Sequence, residues 1–351
     1  MKIALMSGAY ANAGDFLIEE RCKLLLEANI KKTQVDILKR NISYDDKTDL
    51  LNSYDLIVFG GGPGFQKNLY PDKVPFVSDL DALKVPVSIM GWGWKGRNTS
   101  LQTIYKKYRF SPKMLDFIRY IDHNGIPISC RDWYTVQVLR KYGINSLQMT
   151  GCPAWYDLRY INDLHVKAAS PIKKICISDA AYADNLYLMN TVIEFVRSAF
   201  PFADIKLILH RGIHKRNCFL TTKDFVNRYQ MSYADIAGSV TGFSQYDDCD
   251  LHIGFRVHAH IYNLSRGNRS ILINEDARGS GVNDALGIRN IWINHPFITK
   301  SNRKDYLQRQ LSDYLHFLTN TNFQQYETAC QILCKYYVAM QKYIKSIGDL
   351  C

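Results

Sequence analysis

The sequence predicts an α/β protein built from two doubly wound domains that face each other across a cleft. Three observations lead there. Short apolar runs of strand length alternate with helical patterns through the first half of the 351-residue chain, and the same grammar restarts in the second half. A polar stretch without periodicity, around Asp163–Pro171, separates the two halves. After Pro296 the pattern is helical almost to the end, from about Arg303 to Ser346. The expected division is an N-terminal domain over residues 1–165, a C-terminal domain over 166–300, and a helical segment over 301–351 that packs back across both.

In the first half, Lys2–Ser7 reads as a buried strand, followed by a helix from about Asp15 to Ala28 and a second strand at Val35–Leu38. Leu56–Phe59 is a strand closed by Gly60-Gly61-Gly62-Pro63-Gly64, and Val85–Met90 one closed by Gly91-Trp92-Gly93-Trp94. Helical patterns over Pro112–Asn124 and Trp133–Tyr142 flank a strand at Pro127–Cys130. The second half offers a strand at Lys174–Ser178, a helix at Asp184–Phe200, a strand at Ile205–His210 and a helix at about Thr222–Tyr229. Leu251–Gly254 then leads into a helix at His258–Leu264, and Ser270–Ile273 is the last strand.

The composition is that of an ordinary globular chain, with 47% hydrophobic and 22% charged residues. Lys and Arg outnumber Asp and Glu by 44 to 33, so the net charge is +11 and an anionic partner is expected. The basic clusters are short (Lys31-Lys32, Lys39-Arg40, Lys106-Lys107, Lys173-Lys174, His214-Lys215-Arg216), and none is a run of five. That argues against nucleic acid and for small anions or lipid-linked pyrophosphates. Nine irregularly spaced cysteines without a C-x-x-C speak for reduced thiols in a cytosol, against a disulfide scaffold and against a zinc site. The apolar run Ile3–Met6 is too short for a signal-peptide core, and no run approaches the eighteen apolar residues of a membrane span. Any membrane association is therefore expected to be peripheral, at the inner face.

In open α/β sheets, ligands sit beyond the carboxyl ends of the strands, and the notable polar residues of this chain fall at such ends. Asn12, Gly14 and Asp15 open the first helix; they can receive an anion, or Asp15 can simply cap its helix. Gly61 and Gly62 allow close backbone approach to a ligand, or serve only a tight turn. Trp92 and Trp94 can stack on sugar rings, or be buried between the domains. Arg131, after Ser129-Cys130, can fork onto a carboxylate or phosphate, or bind Asp132 and hold the turn. Cys152 is a conceivable nucleophile but more in keeping with a small buried hydrophobe. His210-Arg211 is an anion contact or a surface loop. Asn283 lies in Glu275–Asp284, which can line the same cleft or form a solvated loop. Arg256-Val257-His258-Ala259-His260 is the sharpest feature. It combines an oxyanion-binding guanidinium with an imidazole able to exchange a proton, while His260, two residues on, points elsewhere. No ligand set for a metal is visible.

Taken in order, Asn12…Gly14-Asp15, Phe59-Gly60-Gly61-Gly62, Ser129-Cys130-Arg131-Asp132, Gly151-Cys152-Pro153-Ala154 and Arg256-Val257-His258-Ala259-His260-Ile261 resemble the polysaccharide pyruvyl transferase family over about residues 1–290. One departure is Gly91-Trp92-Gly93-Trp94, where members often carry a glycine loop ending in proline. The resemblance implies two Rossmann-like domains in a GT-B-like arrangement. It implies transfer of a pyruvyl group from phosphoenolpyruvate, as co-substrate and without a cofactor, onto two hydroxyls of a sugar or lipid-linked oligosaccharide, giving a pyruvate ketal. The family's R-x-H arginine and histidine fall on Arg256 and His258, and its S-x-R arginine on Arg131. Two other readings share the cleft: a glycosyltransferase with a nucleotide-sugar donor, and a catalytically silent glycan-binding protein. Against the first, the only E-x7-E spacing is Glu19 and Glu27, in the first helix.

Overall fold

The computed structural model describes residues 1–97, 105–123, 125–167, 171–211 and 225–350. The His214-Lys215-Arg216 cluster lies outside them, as does part of the helix expected over Thr222–Tyr229, of which 225–229 are described and helical.

The first half forms one parallel sheet from β1 (Lys2–Ser7), β2 (Gln34–Lys39), β3 (Leu56–Phe65), β4 (Val87–Trp94), β5 (Ile128–Cys130) and β6 (Leu147–Met149), in the order β2-β1-β3-β4-β5-β6. Its inner strands β1, β3, β4 and β5 are buried on both faces, as helix-covered parallel sheets require, while the edge strand β2 is partly exposed. The covering helices include α1 (Ala13–Asn29), α2 (Thr48–Asn52), α3 (Pro112–His123) and α4 (Trp133–Arg140). Along α1, Leu17, Ile18, Cys22, Leu25 and Leu26 recur at three- and four-residue spacing and pack on the sheet. Gly61 lies beneath them because a Cβ there would overlap Ile18.

The second half repeats the plan with β7 (Lys174–Ser178), β8 (Asp204–Leu209), β9 (Ser232–Asp235), β10 (Leu251–Gly254), β11 (Arg269–Asn274) and β12 (Ile291–Trp292), in the order β12-β11-β10-β7-β8-β9. Renumbered within this half, that is the Rossmann order 3-2-1-4-5-6. Its helices include α5 (Leu188–Ala199), α6 (Val257–Leu264) and α7 (Ala277–Leu286).

In each sheet the winding reverses at one place: between β1 and β3 in the first, between β7 and β10 in the second. A crevice opens at such a reversal. The two halves meet there directly: the Ala13 N–H donates to the His210 carbonyl at 3.0 Å and the Gly238 N–H to that of Ala11 at 2.9 Å. The Ala277 N–H bonds the Gly96 carbonyl at 3.0 Å, and Arg97 grips Asp184 with two bonds of 2.9 and 2.8 Å.

The C-terminal segment is two helices, α8 (Arg303–Asn320) and α9 (Gln324–Gly348), rather than one. The break falls where Asn322 and Phe323 take positive φ values of 46° and 59°, which α-helix does not permit. α9 lies across both halves. Its Tyr326 hydroxyl donates to the Ser270 carbonyl on β11 and its Tyr343 hydroxyl to the Ile89 carbonyl on β4, both at 2.8 Å. No helix among the described residues is long and apolar enough to cross a membrane.

The glycine runs read as strand ends lie inside strands instead: β3 continues through Gly60-Gly61-Gly62, and β4 through Gly91-Trp92-Gly93-Trp94. β6 and β9 are strands that periodicity does not reveal, being only three and four residues long.

Candidate active site

β7 and β10 run side by side, pairing Gly254 with Ser178. A Cβ at Gly254 would overlap Ser178, so glycine is what lets the two strands end together. Just beyond, Asp179 receives Arg256 through Nε at 2.7 Å and Nη2 at 2.5 Å, and Nη2 also reaches the Ala180 carbonyl at 3.1 Å. Both side chains are buried. Arg256 is therefore clamped as a bidentate ion pair at the reversal between the central strands.

His258 is the second residue of α6 and half-buried. Its ring lies over Gly14, where a Cβ would overlap Nδ1, so the imidazole crosses from one half to the α1 N-terminus of the other. Burial, with the fields of Arg278, Arg131 and Arg256, pushes His258 down to about 3. Three arginines, one from the first half and two from the second, thus converge on one uncharged imidazole. Each guanidinium is also ion-paired, Arg131 to Asp132, Arg256 to Asp179 and Arg278 to Asp276, and the N-terminus of α1, which favours an anion, adjoins the ring.

Arg131 shows both of its expected faces. Its Nε holds Asp132 at 3.2 Å and its Nη2 the Trp94 carbonyl at 3.1 Å, while the guanidinium lies over Gly93 and adds to the field at His258. Asp132 in turn caps α4, accepting from the Thr135 N–H at 2.8 Å. Asn12 occupies the N-cap of α1 without a side-chain cap bond. Asp15, Gly61 and Gly62 line a recess of only about 10 Å³ together with Arg40, room for one water.

Three expectations change. Trp92 and Trp94 are wholly buried and offer no face to a sugar. Trp92 Nε1 donates to the Gly60 carbonyl at 3.2 Å, and its ring packs against Phe59, Phe65 and Phe117; Trp94 packs on Tyr108 and Tyr134. His210 is sealed rather than an anion contact. Its Nε2 bonds the Tyr246 hydroxyl at 2.8 Å, its N–H reaches Asp179 at 3.2 Å, and burial holds it well below the ordinary histidine range. Asn283 is buried inside α7, donating to the Arg289 carbonyl at 3.4 Å. Arg211, by contrast, is exposed and contributes to the positive field at Lys95. Cys152 is buried and its thiol pushed up by burial, which leaves no thiolate for attack.

The sequence reading missed Asp179; it held Glu275 and Arg278 only as part of the segment Glu275–Asp284, and assigned no role to Lys95. Arg278, at the start of α7, binds Asp276 through Nε at 2.9 Å and Nη2 at 2.7 Å, and its charge lowers the pKa of His258. Lys95 is exposed, and its pKa is lowered by partial burial and by Arg278. Glu275 accepts from the N–H groups of Ala181 at 2.6 Å and Tyr182 at 3.2 Å and from Asn185 at 2.8 Å, ordering the loop after β7; burial pushes it up to about 7. The available signal was position: Asp179 and Glu275 each directly follow a strand. Among the described residues no group of three or more His, Cys, Asp or Glu side chains converges as for a metal ion.

The fold has solved counterparts. UDP-GlcNAc 2-epimerase from Neisseria meningitidis bound to UDP-GlcNAc superposes with a TM-score of 0.56 at 12% identity, covering 99% of each chain. A glycosyltransferase from Rickettsia africae gives 0.56 at 10% identity, covering 99% of this chain and 98% of that one. MnaA from S. aureus in complex with UDP gives 0.55 at 11% identity, covering 93% and 91%. At these identities the likeness is one of fold, the GT-B-like pair of Rossmann domains. No curated protein matches the chain. The profile of the polysaccharide pyruvyl transferases matches residues 12–265, a stretch that takes in the winding reversal between β7 and β10, Arg131 and the Arg256–His258 segment, and the chain belongs to that family.

Proposed function

We propose that the chain transfers a pyruvyl group from phosphoenolpyruvate to two hydroxyls of one sugar, releasing phosphate and forming a pyruvate ketal. The observation that carries this reading is the convergence of Arg131, Arg256 and Arg278 on an uncharged His258 between the domains, in a chain of this family. Phosphoenolpyruvate carries a phosphate and a carboxylate close together, and a recess with several guanidinium groups matches both. Arg256, already held by Asp179, supplies a fixed positive field; Arg131 and Arg278 close the recess from either half.

A neutral imidazole begins as a proton acceptor. His258 takes the proton of the first sugar hydroxyl and delivers it to C3 of the enol, so that C3 becomes a methyl and the hydroxyl oxygen bonds to C2. The C2–O bond to phosphate then breaks. The second hydroxyl adds at C2, and its proton leaves with the phosphate. Atoms balance: one enol phosphate and two hydroxyls give one ketal and one inorganic phosphate. The bound anion offsets the arginine fields and lifts His258 toward its ordinary range, which eases the proton's passage. Positioning and preset charge supply most of the acceleration. A sugar or lipid-linked saccharide is the acceptor, met at the α1 side of the cleft.

The test is phosphate release from phosphoenolpyruvate across a panel of glycan acceptors, with His258→Ala as the control that stays folded and loses turnover. Stabilisation by nucleotide sugars and none by phosphoenolpyruvate would decide for a glycosyltransferase instead.

A further inference from the structure

Beneath the Arg256–His258 turn runs a chain of buried polar groups closed off from solvent. Ser178 Oγ accepts the Arg256 N–H at 3.1 Å. The same oxygen lies 2.9 Å from His252 Nε2, and His252 Nδ1 lies 2.7 Å from Ser270 Oγ. Ser270 Oγ is also 2.7 Å from His260 Nδ1. Beyond the ring, Asn283 is the polar neighbour of His260; His260 Nε2 and Asn283 Oδ1 are both buried and lack a hydrogen-bond partner of full geometry. Ser178, His252, Ser270, His260 and Asn283 are all completely inaccessible to solvent.

The proton positions in this chain follow by elimination. Asn283 Nδ2 donates to the Arg289 carbonyl, so its Oδ1 faces His260 as an acceptor. His260 must then carry its proton on Nε2, which makes Nδ1 an acceptor. Ser270 therefore donates to His260. A hydroxyl has one proton, so Ser270 must accept from His252, whose proton sits on Nδ1. His252 Nε2 is then an acceptor, and Ser178 donates to it while accepting from Arg256. In this direction the orphaned donor of His260 is matched to the orphaned acceptor of Asn283, and reversing it sets two acceptors against each other there.

We propose that His252, Ser270 and His260 are positioning residues: a one-way hydrogen-bond chain with fixed and opposite imidazole tautomers that sets the backbone of the turn carrying Arg256 and His258. The chain ties β7, β10, β11, α6 and α7 to that turn while adding no charge below the arginines. Both rings are uncharged, because burial holds His252 well below the ordinary range and pushes His260 down to about 3. The functional part of the claim rests on the pyruvyl transfer proposed above; the tautomers do not.

The experiment is long-range 1H–15N correlation on the full chain labelled at histidine, with His252→Gln and His260→Gln spectra to assign the two rings. The expected result is His252 protonated at Nδ1, His260 at Nε2, and neither signal moving between about pH 5 and pH 8. The opposite tautomers, or titration of either ring in that range, overturn the proposal. The second arm is phosphate release. Ser270→Ala is expected to lower kcat about tenfold with little change in KM, and Ser270→Thr, which keeps the hydroxyl, to restore it. Ser270→Ala with native turnover and unmoved ring signals also overturns it. A wild-type chain without phosphoenolpyruvate turnover but with the expected tautomers rejects the pyruvyl-transfer reading and leaves the chain of hydrogen bonds standing.

Discussion

Gly14 and His258 close upon each other across the two halves, with no space between them for a side chain on the glycine. The residue that opens α1 is thus the seat for the imidazole of α6. Gly14→Ala should displace the ring while leaving α1 intact, because alanine is the better helix former. Phosphate release is expected to fall about 100-fold, the cost of misplacing a reacting group by about 1 Å, with an unchanged far-ultraviolet spectrum. Native turnover by Gly14→Ala would remove the His258 contact from the mechanism.

Asp179 and Arg256 form a buried pair, and removing one partner leaves the other charge without compensation. Asp179→Asn should cost about 3–5 kcal/mol in urea unfolding, more than any exposed carboxylate in the chain. Arg256→Ala carries a similar penalty, so its turnover must be read beside its stability. A loss below about 1 kcal/mol for Asp179→Asn would mean that the pair is open to water.

Lys95 tests the anion recess without disturbing the core, since it is exposed. Lys95→Met is expected to weaken phosphoenolpyruvate binding about tenfold at low salt and to flatten its salt dependence, measured by titration calorimetry. Equal affinity at low salt would place the donor elsewhere.

Acid should destabilise the fold before its carboxylates titrate. His258 and His260 sit at about 3, and His210 and His252 well below the ordinary range, burial being the leading cause for all four. Each is lower folded than unfolded, so their contribution is complete above about pH 6.5 and is lost as pH falls toward about 3. The slope is about 1.4 kcal/mol per pH unit for each of His210, His252 and His260, which are fully buried, and less for the half-buried His258. Glu275, held up to about 7, works in the opposite sense: its proton stays on longer in the folded chain, so its contribution declines as pH rises through that value. Four rings outweigh one carboxyl. Urea midpoints at about pH 5 should lie below those at about pH 7.5, and equal midpoints would contradict neutral buried rings.

Trp92 belongs to the core, and Trp92→Ala should lower stability by about 3–5 kcal/mol. An acceptor-binding role would instead show as a raised acceptor KM in a chain of native stability.

The alternation of strand and helix was legible because parallel strands under two helix layers are apolar throughout, as in Ile3–Met6 and Leu56–Phe59. The Arg256–His258 turn was legible because it directly follows such a strand. Trp92 and Trp94 were not, since indoles flanked by glycines suit a sugar platform and a strand interior equally. What decided was Phe117, a residue of α3 that is distant in sequence. Asp179 escaped notice, and Arg278 was not singled out within Glu275–Asp284, because one carboxylate or one guanidinium gains meaning only from the partner the fold sets against it. The pairing of His252 with His260 through Ser270 joins two neighbouring strands and a helix, and no local pattern encodes it.

The long final helix has a mechanical consequence. Tyr326 fastens it to one lobe and Tyr343 to the other, some seventeen residues or about 26 Å apart along a single rod. A strut pinned at two points lets the lobes rock about it but resists sliding one past the other. The same rod thereby keeps Gly14 and His258 in register across the two lobes.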